Sequence, residues 1–117
     1  MRPVTTLLVL TTLPDRPSAE ALAGELVDAR LAACVNVLAP CHSVYRWQEA
    51  VETASEIPLL IKTSSERYAA LEAAIRQRHP YELPEIIALP VVAGLPDYLA
   101  WVAAATGAPD DLQDTPQ

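Results

Sequence analysis

Basic residues are scarce in this chain. Eight Lys and Arg stand against fifteen Asp and Glu, which gives a formal net charge of -7 over 117 residues. Without a basic stripe the protein has little to displace counterions from phosphate, so no nucleic-acid partner is expected. An anionic membrane surface is disfavoured for the same electrostatic reason. The acidic balance is compatible with cation binding, although it also simply keeps a protein in solution.

Aromatic residues and cysteines are also few. Phenylalanine is absent and aromatics make up 5% of the chain, whereas 51% is hydrophobic, so Ala, Leu and Val must fill the core. The length predicts a single domain. The two cysteines, Cys34 and Cys41, match neither a zinc-binding spacing nor a disulfide framework. No cofactor is required by these patterns.

A targeting segment is not evident at the N-terminus. The run Val4 to Leu10 is apolar, but no extended basic region precedes it and no small-residue cleavage site follows it. The run is also too short to span a bilayer. We therefore expect a cytoplasmic protein without a membrane partner.

Hydrophobic periodicity predicts the secondary structure. A continuous apolar run predicts a strand at Val4–Thr12. Asp15 as N-cap and Pro17 in the first turn open a helix that ends near Leu31–Ala32. The later elements are a strand at Cys34–Leu38 that resumes at Ser43–Trp47, a return strand at Val51–Lys62, a helix after Glu66, a strand at Ile86–Val92 and a helix at Asp97–Ala105.

This order predicts an α+β, ferredoxin-like split βαβ fold: an antiparallel sheet with two helices on one face, followed by a C-terminal helix. Residues 1–106 form the domain, and the acidic, proline-containing segment 107–117 is predicted to be a disordered tail. The second and third strands are long for so small a sheet. Their unpaired edges predict an oligomer.

Three local patterns carry further expectations. The reversal at Gln48–Ala50 has neither Gly nor Asn for a tight primed turn, so a loop or bulge is expected. Pro58 interrupts the return strand, which predicts an edge or a bulge there. Thr63–Glu66 matches a capping box and predicts the start of the second helix.

The segment His79–Pro90 combines a histidine, a tyrosine and two acids with three prolines. Proline restricts its own φ and the residue before it, so a stiff, extended entry into the last strand is expected. Such a segment suits a binding site, and it equally suits a helix-to-strand connector. His79 itself either ligates a cation or titrates near neutral pH, or it caps the preceding helix.

Short motifs recur in order along the chain from about Val4 to Ala104. They are Thr11–Asp15 (TTLPD), Leu31–Asn36 (LAACVN), Ser43–Trp47 (SVYRW), Leu60–Thr63 (LIKT), His79–Ile87 (HPYELPEII) and Pro96–Trp101 (PDYLAW). Together they resemble the CutA family of divalent-cation tolerance proteins. The His-Pro-Tyr-Glu-x-Pro-Glu-Ile stretch is the most specific of them.

The resemblance implies a ferredoxin-like subunit and a compact homotrimer built by inter-subunit strand pairing, with a quaternary likeness to the nitrogen-signalling PII proteins. Family members are linked to tolerance of copper and other divalent cations. The implied function is therefore a response to metal ions, with weak copper binding by the trimer. No catalytic reaction is established for the family, so we expect a binding protein and not an enzyme.

The family's metal ligands are only partly present. Copper-binding bacterial members have a Cys at the end of the first strand and two adjacent histidines before the Pro-Tyr, and these positions are Thr11, Arg78 and His79 here. Only His79 remains as a candidate ligand for Cu²⁺ or another divalent cation, and a trimer would have to bring three copies together. Cys41–His42 is a second soft pair, but neighbours in a strand face opposite sides unless a bend at Pro40 reorients them.

Other polar residues on or beside strands are candidates for a ligand-binding cleft at a subunit boundary: Tyr45, Trp47, Lys62, Tyr81 and Glu85. Alternatively, Tyr45 and Trp47 pack an interface and Lys62 pairs with an acid. Glu82 and Glu85 should face opposite sides if their segment is extended, which argues against a catalytic acid pair. Two functions stay open: a copper-binding trimer of metal homeostasis, and a PII-like signalling or adaptor trimer whose clefts bind a small ligand or a partner protein.

Overall fold

The structure, a computed structural model, describes residues 4–107. In chain order its elements are β1 (Thr6–Leu13), α1 (Arg16–Asp28), β2 (Cys34–Val37), β3 (Cys41–Trp47), β4 (Ala50–Ser64), α2 (Tyr68–Arg78), β5 (Ile87–Pro90) and α3 (Pro96–Ala105). β2 and β3 are the two parts of the predicted second strand. Apart from Gly107, the predicted disordered tail lies outside the described residues.

The sheet is antiparallel and has the spatial order β2-β4-β1-β5, with β3 pairing farther along β4. This is the predicted split βαβ arrangement. Its core forms where α1 and α2 pack on one face, and it contains mainly aliphatic side chains: Val9, Leu13, Leu22, Leu26, Ile57, Leu59, Ile61, Leu71 and Ile75. Among residues 4–107 no helix combines the length and apolar character needed to cross a bilayer.

The opposite face of the sheet is only partly covered. There α3 packs at one end, where the Thr106 hydroxyl lies 3.1 Å from the Ser64 hydroxyl. Ile87 and Leu89 of β5 pair with Leu10 and Leu8 and share their face, since cross-strand partners point to the same side. Their exposed fractions are 52% and 50%. An apolar part of this face is therefore left in contact with solvent in the single chain.

Helix α1 begins as the sequence predicts and ends earlier. The Asp15 carboxylate accepts a hydrogen bond from the Ser18 N–H at 2.8 Å. This bond is also the largest cause that lowers the pKa of Asp15. The helix stops at Asp28, not near Leu31, because Arg30 adopts a left-handed backbone with φ 61° and ends the helical path.

Pro58 lies inside β4 with strands on both sides and in regular register with Thr12, so neither the predicted edge nor a bulge of β4 forms at this position. Leu38 N–H donates to the Pro58 carbonyl at 3.0 Å, but Pro58 has no N–H to return. Arg16 Nη2 instead donates to the Leu38 carbonyl at 3.0 Å. Ala39 and Pro40 then oppose a single residue of β4, Ile57, which is a bulge in the partner strand.

Two other local expectations were wrong. The β3–β4 reversal is a tight two-residue turn in which Gln48 and Glu49 have φ of 49° and 70°, although neither is Gly or Asn. The capping box does not form, because Thr63 stays in β4 and its hydroxyl donates to the Leu31 carbonyl at 2.7 Å. Helix α2 therefore starts at Tyr68, and no side chain among residues 4–107 caps its N-terminus.

Candidate ligand-binding cleft

A cleft of about 940 Å³ lies between the β3–β4 hairpin and the segment that follows α2. Its walls come from the hairpin, the end of β1 and residues 80–85: Thr12, Ser43, Val44, Tyr45, Arg46, Trp47, Ala54, Glu56, Pro80, Tyr81, Glu82, Leu83, Pro84 and Glu85. The structure thus brings together four of the five residues chosen from the sequence, namely Tyr45, Trp47, Tyr81 and Glu85. A second hollow, of about 410 Å³, lies between the end of α1 and α3.

The carboxylate of Glu56 is the best-held polar group in the cleft. Its Oε2 accepts hydrogen bonds from Thr12 Oγ1 at 3.1 Å and from the Tyr81 hydroxyl at 2.9 Å. The residue is 9% exposed. Both of these bonds end on Oε2, so Oε1 is left to whatever enters the cleft.

The surroundings of Glu56 keep it charged at neutral pH. Burial is the largest single effect and raises its pKa, but hydrogen bonds from Ser43, Tyr81 and Thr12 outweigh it and lower the pKa below the ordinary value. Tyr81 responds in the opposite direction: burial first, and then its hydrogen bond to Glu56, raise the pKa of Tyr81 to about 12. The pair is therefore a carboxylate and a neutral phenol.

Sequence reasoning missed Glu56. Glu56 follows a mostly exposed stretch in the outer part of β4. An acid in such a stretch is most simply interpreted as facing solvent. Its burial depends on Tyr81, which is 25 positions away in the chain. The available signal was indirect: Glu56 is the last acid before the buried run that begins at Ile57.

His79 supports the cleft wall from behind. It occupies the C-cap position of α2, as one alternative proposed, but its side chain reaches across to β1 and not to the helix carbonyls. Nδ1 accepts the Tyr81 N–H at 3.1 Å, which assigns the proton to Nε2, and Nε2 donates to the Thr12 carbonyl at 2.7 Å. The side chain is 8% exposed. A cation could bind this imidazole only if one of these hydrogen bonds broke.

Residues 80–83 bend and do not form the extended segment expected from the prolines. As a result Glu82 and Glu85 both line the cleft, whereas an extended backbone would have placed them on opposite faces. The predicted extended segment is therefore wrong, and the condition for opposite faces is not met. Together with Glu56, these residues give the cleft a negative wall.

Lys62 does not line the cleft. It lies opposite Cys34 in the β2–β4 pairing, and its ammonium contacts the Asn36 side-chain oxygen and lies 3.9 Å from Cys34 Sγ. Its observed partner is thus an amide, where an acid had been the alternative expectation. Lys62 therefore lies in the part of β4 that pairs with β2, away from the cleft.

The other candidate metal ligands are dispersed. Thr11 is buried, and its hydroxyl has no hydrogen-bond partner among residues 4–107. Arg78 pairs with Glu25. Cys41 Sγ lies 3.6 Å from Ser43 Oγ, and His42 follows it in β3 as an exposed residue. Within the described part of the chain no group of three His, Cys, Asp or Glu residues is arranged to hold an ion.

Comparison with known proteins supplies the family. Residues 7–105 match the family model described as CutA1 divalent ion tolerance protein. A divalent-cation tolerance protein CutA from Thermus thermophilus is 42% identical over 100 residues, which cover 86% of this chain and 97% of the relative. The crystal structure of CutA from Xylella fastidiosa superposes with a TM-score of 0.85 at 46% identity, covering 87% of this chain and 98% of that one.

A third similar structure, from Archaeoglobus fulgidus, is described as a periplasmic divalent cation tolerance protein CutA. It has a TM-score of 0.84 at 32% identity and covers 87% of this chain and 99% of that one. The cytoplasmic location expected from the sequence therefore stays a prediction. On the extent of these matches, the chain belongs to the CutA1 divalent ion tolerance protein family.

Proposed function

We propose that this protein serves divalent-cation tolerance as a homotrimeric binding protein, not an enzyme, and that its ligand site is the cleft around Glu56. The observation that carries the proposal is the Glu56 carboxylate, which is buried, ionised and fixed by two hydroxyls at the wall of an open cleft. A preorganised charged group beside open volume is typical of a small-ligand site. The same site would suit the PII-like signalling or adaptor role.

Self-association is supported by two features of the single chain. The first is the half-exposed apolar surface of Ile87 and Leu89 on the open face of the sheet. The second is the hairpin, where residues 50–55 pair with β3 but extend beyond the end of β1 at Leu13. Unpaired strand edges are completed most simply by strands of another copy. The number three follows from the family resemblance.

Direct copper binding is the second candidate function, because the family is described by divalent-ion tolerance. The negative cleft wall formed by Glu56, Glu82 and Glu85 favours weak attraction of cations. In this proposal copper binding is incidental to the cleft, because His79 uses both ring nitrogens within the fold.

Two measurements on tag-free protein test the proposal. Sedimentation equilibrium should give the mass of a trimer. Calorimetric titration with Cu²⁺ should give no tighter binding than an unrelated acidic protein does, in wild type and in His79→Ala and Cys41→Ala alike. A monomeric mass would contradict the proposed trimer.

Saturable micromolar Cu²⁺ binding that is lost only in His79→Ala would replace the proposal with a trimer-assembled metal site. Loss only in Cys41→Ala would move the metal site to β3. Because His79 ties the segment after α2 to β1, thermal unfolding of His79→Ala is recorded alongside. His79→Gln provides a second variant that retains hydrogen-bonding capacity.

A further inference from the structure

We propose that the cleft binds a linear aliphatic polyamine, with one ammonium group donating to Glu56 Oε1. The inference rests on the proposed function of the cleft and specifies its ligand. Three observations lead to it: the charge of the walls, the aromatic residues among them, and the way Glu56 is already bonded.

The charge of the cleft, as a single chain forms it, disfavours an anionic ligand. Glu56, Glu82 and Glu85 line it, and among the described lining residues Arg46 is the single base. Lys62, the basic residue that the sequence suggested for this site, lies away from the cleft. A phosphate or carboxylate ligand would therefore meet net repulsion, whereas a cation would be attracted.

The bonding of Glu56 favours an N–H donor over a metal ion. Hard divalent cations bind several oxygen ligands, some of them carboxylates. Ca²⁺ takes about six to eight, and Mg²⁺ requires a nearly ideal octahedron. Here Oε2 is already held by Thr12 and Tyr81. Residues 4–107 also contain no group of three acidic or soft ligands arranged around an ion. An ammonium needs only a single well-placed acceptor, which Oε1 supplies.

The aromatic residues and the volume favour a long organic cation. Tyr45, Trp47 and Tyr81 line the cleft, and aromatic rings attract ammonium groups and pack against methylene chains. A cleft of about 940 Å³ is far larger than one ammonium group needs. A linear polyamine would fill more of it and would place successive charges near Glu56 and near Glu82 or Glu85.

The test is an NMR titration of ¹⁵N-labelled full-length protein with spermidine, near physiological salt so that weak surface attraction is screened. The indole N–H of Trp47 reports on the cleft, and that of Trp101, which lines the hollow beside α3, serves as an internal control. Parallel titrations use Mg²⁺, ATP and the uncharged 1,8-octanediol. Spermidine should shift the Trp47 signal saturably and leave the Trp101 signal in place.

Variants separate a site from general acidity. Glu56→Gln should weaken spermidine binding about tenfold or more, because a buried charge partner is lost. Glu72→Gln removes an equal charge from an exposed position on α2 and should change the affinity less than about twofold. Should Glu56→Gln fold poorly, as its spectrum would show, Glu85→Gln tests the same wall from an exposed position and should also weaken binding.

The outcomes distinguish the two proposals. Equal affinities of the Glu56→Gln and Glu72→Gln variants would overturn the polyamine inference, as would a stronger response to ATP or Mg²⁺. In the latter case Trp47 would still report binding, so the cleft would stand as the ligand site and only the ligand class would be wrong. A Trp47 signal that no probe shifts would overturn both the inference and the proposed cleft function.

Discussion

The inner half of β4, residues 57–64, lies between β1 and β2, whereas the outer half, residues 50–55, pairs with β3 alone among residues 4–107. Alternate side chains of the inner half are fully buried against α1 and α2. In the outer half, Val51 and Thr53 are exposed. One strand thus contributes to the centre of the core through its inner half and to the wall of a cleft through its outer half. The two halves differ in burial because different elements pack against them.

Glu56 lies at the boundary between these halves, and its contacts reach both. Thr12, from the end of β1, and Tyr81, from the segment after α2, donate to it. The cleft therefore begins at the boundary between the two halves of β4. A largely buried acid is tolerated there because its Oε2 accepts two hydrogen bonds from hydroxyl groups. Changes at inner, boundary and outer positions should accordingly have effects of decreasing size.

The largest effect is expected in the inner half. Ile61 is 0% exposed within the core, so Ile61→Ala should reduce the free energy of unfolding by about 2–5 kcal/mol, through lost burial and a cavity. Thr53→Ala in the outer half should cost less than about 1 kcal/mol. Urea unfolding at matched protein concentrations measures both. Comparable losses would mean that the outer half is packed as tightly as the inner half.

An intermediate effect is expected at the boundary. Because the pKa of Glu56 is lower in the folded chain, the unfolded chain takes up the proton first, and the carboxylate stabilises the fold above about pH 4.5. That stabilisation is lost as the pH falls through the folded-state pKa. Glu56→Gln should cost about 1–3 kcal/mol at neutral pH, and the difference from wild type should shrink on acidification.

Urea midpoints of wild type, Glu56→Gln and the exposed control Glu72→Gln, measured from about pH 7 to pH 3, check this dependence. Wild type and Glu72→Gln should lose stability in parallel, while Glu56→Gln should give a flatter curve. A Glu56→Gln curve that runs parallel to wild type would show that the Glu56 carboxylate is not linked to folding.

The smallest effect is expected at the tip of the hairpin. Glu49 has φ of 70°, a left-handed backbone that costs a side-chain-bearing residue roughly 1 kcal/mol or more, so Glu49→Gly should stabilise the protein by about that amount. The matched control, Ala21→Gly within α1, should destabilise by about 1 kcal/mol. Thermal unfolding compares the two, and a destabilising Glu49→Gly would mean that the side chain makes contacts that outweigh the backbone cost.

Local patterns succeeded where the partner of a residue is close in sequence. The Asp15 cap joins residues three apart, and the apolar periodicity of Leu71 and Ile75 describes one face of one helix. Predictions failed where a distant segment competed. Thr63 is the capping residue of the predicted capping box, but its hydroxyl donates to the Leu31 carbonyl at 2.7 Å, and the Ser65 hydroxyl accepts the Thr5 N–H near the start of β1 at 3.1 Å. A capping-box motif does not reveal such contacts, because they come from segments far away in the sequence.

The candidate site shows the same division. Tyr45, Trp47, Tyr81 and Glu85 could be selected from the sequence because aromatic and charged residues at strand ends and beside prolines are candidates for binding. Glu82 was expected to face away from Glu85 only in an extended segment, and the prolines predicted that extension whereas residues 80–83 bend. Lys62 lies farther along β4, opposite Cys34 of β2 and away from the cleft, and nothing in the sequence shows this separation.

The sequence by itself determined the order of the elements, the antiparallel split βαβ class and the family, because these depend on periodicity and on contiguous motifs. The tertiary structure alone decided which polar groups are desolvated together. Glu56 becomes a fixed, ionised acceptor only when Thr12 and Tyr81, 44 and 25 positions away, donate to it. Such a site depends on long-range burial and hydrogen bonding, and no local pattern specifies either.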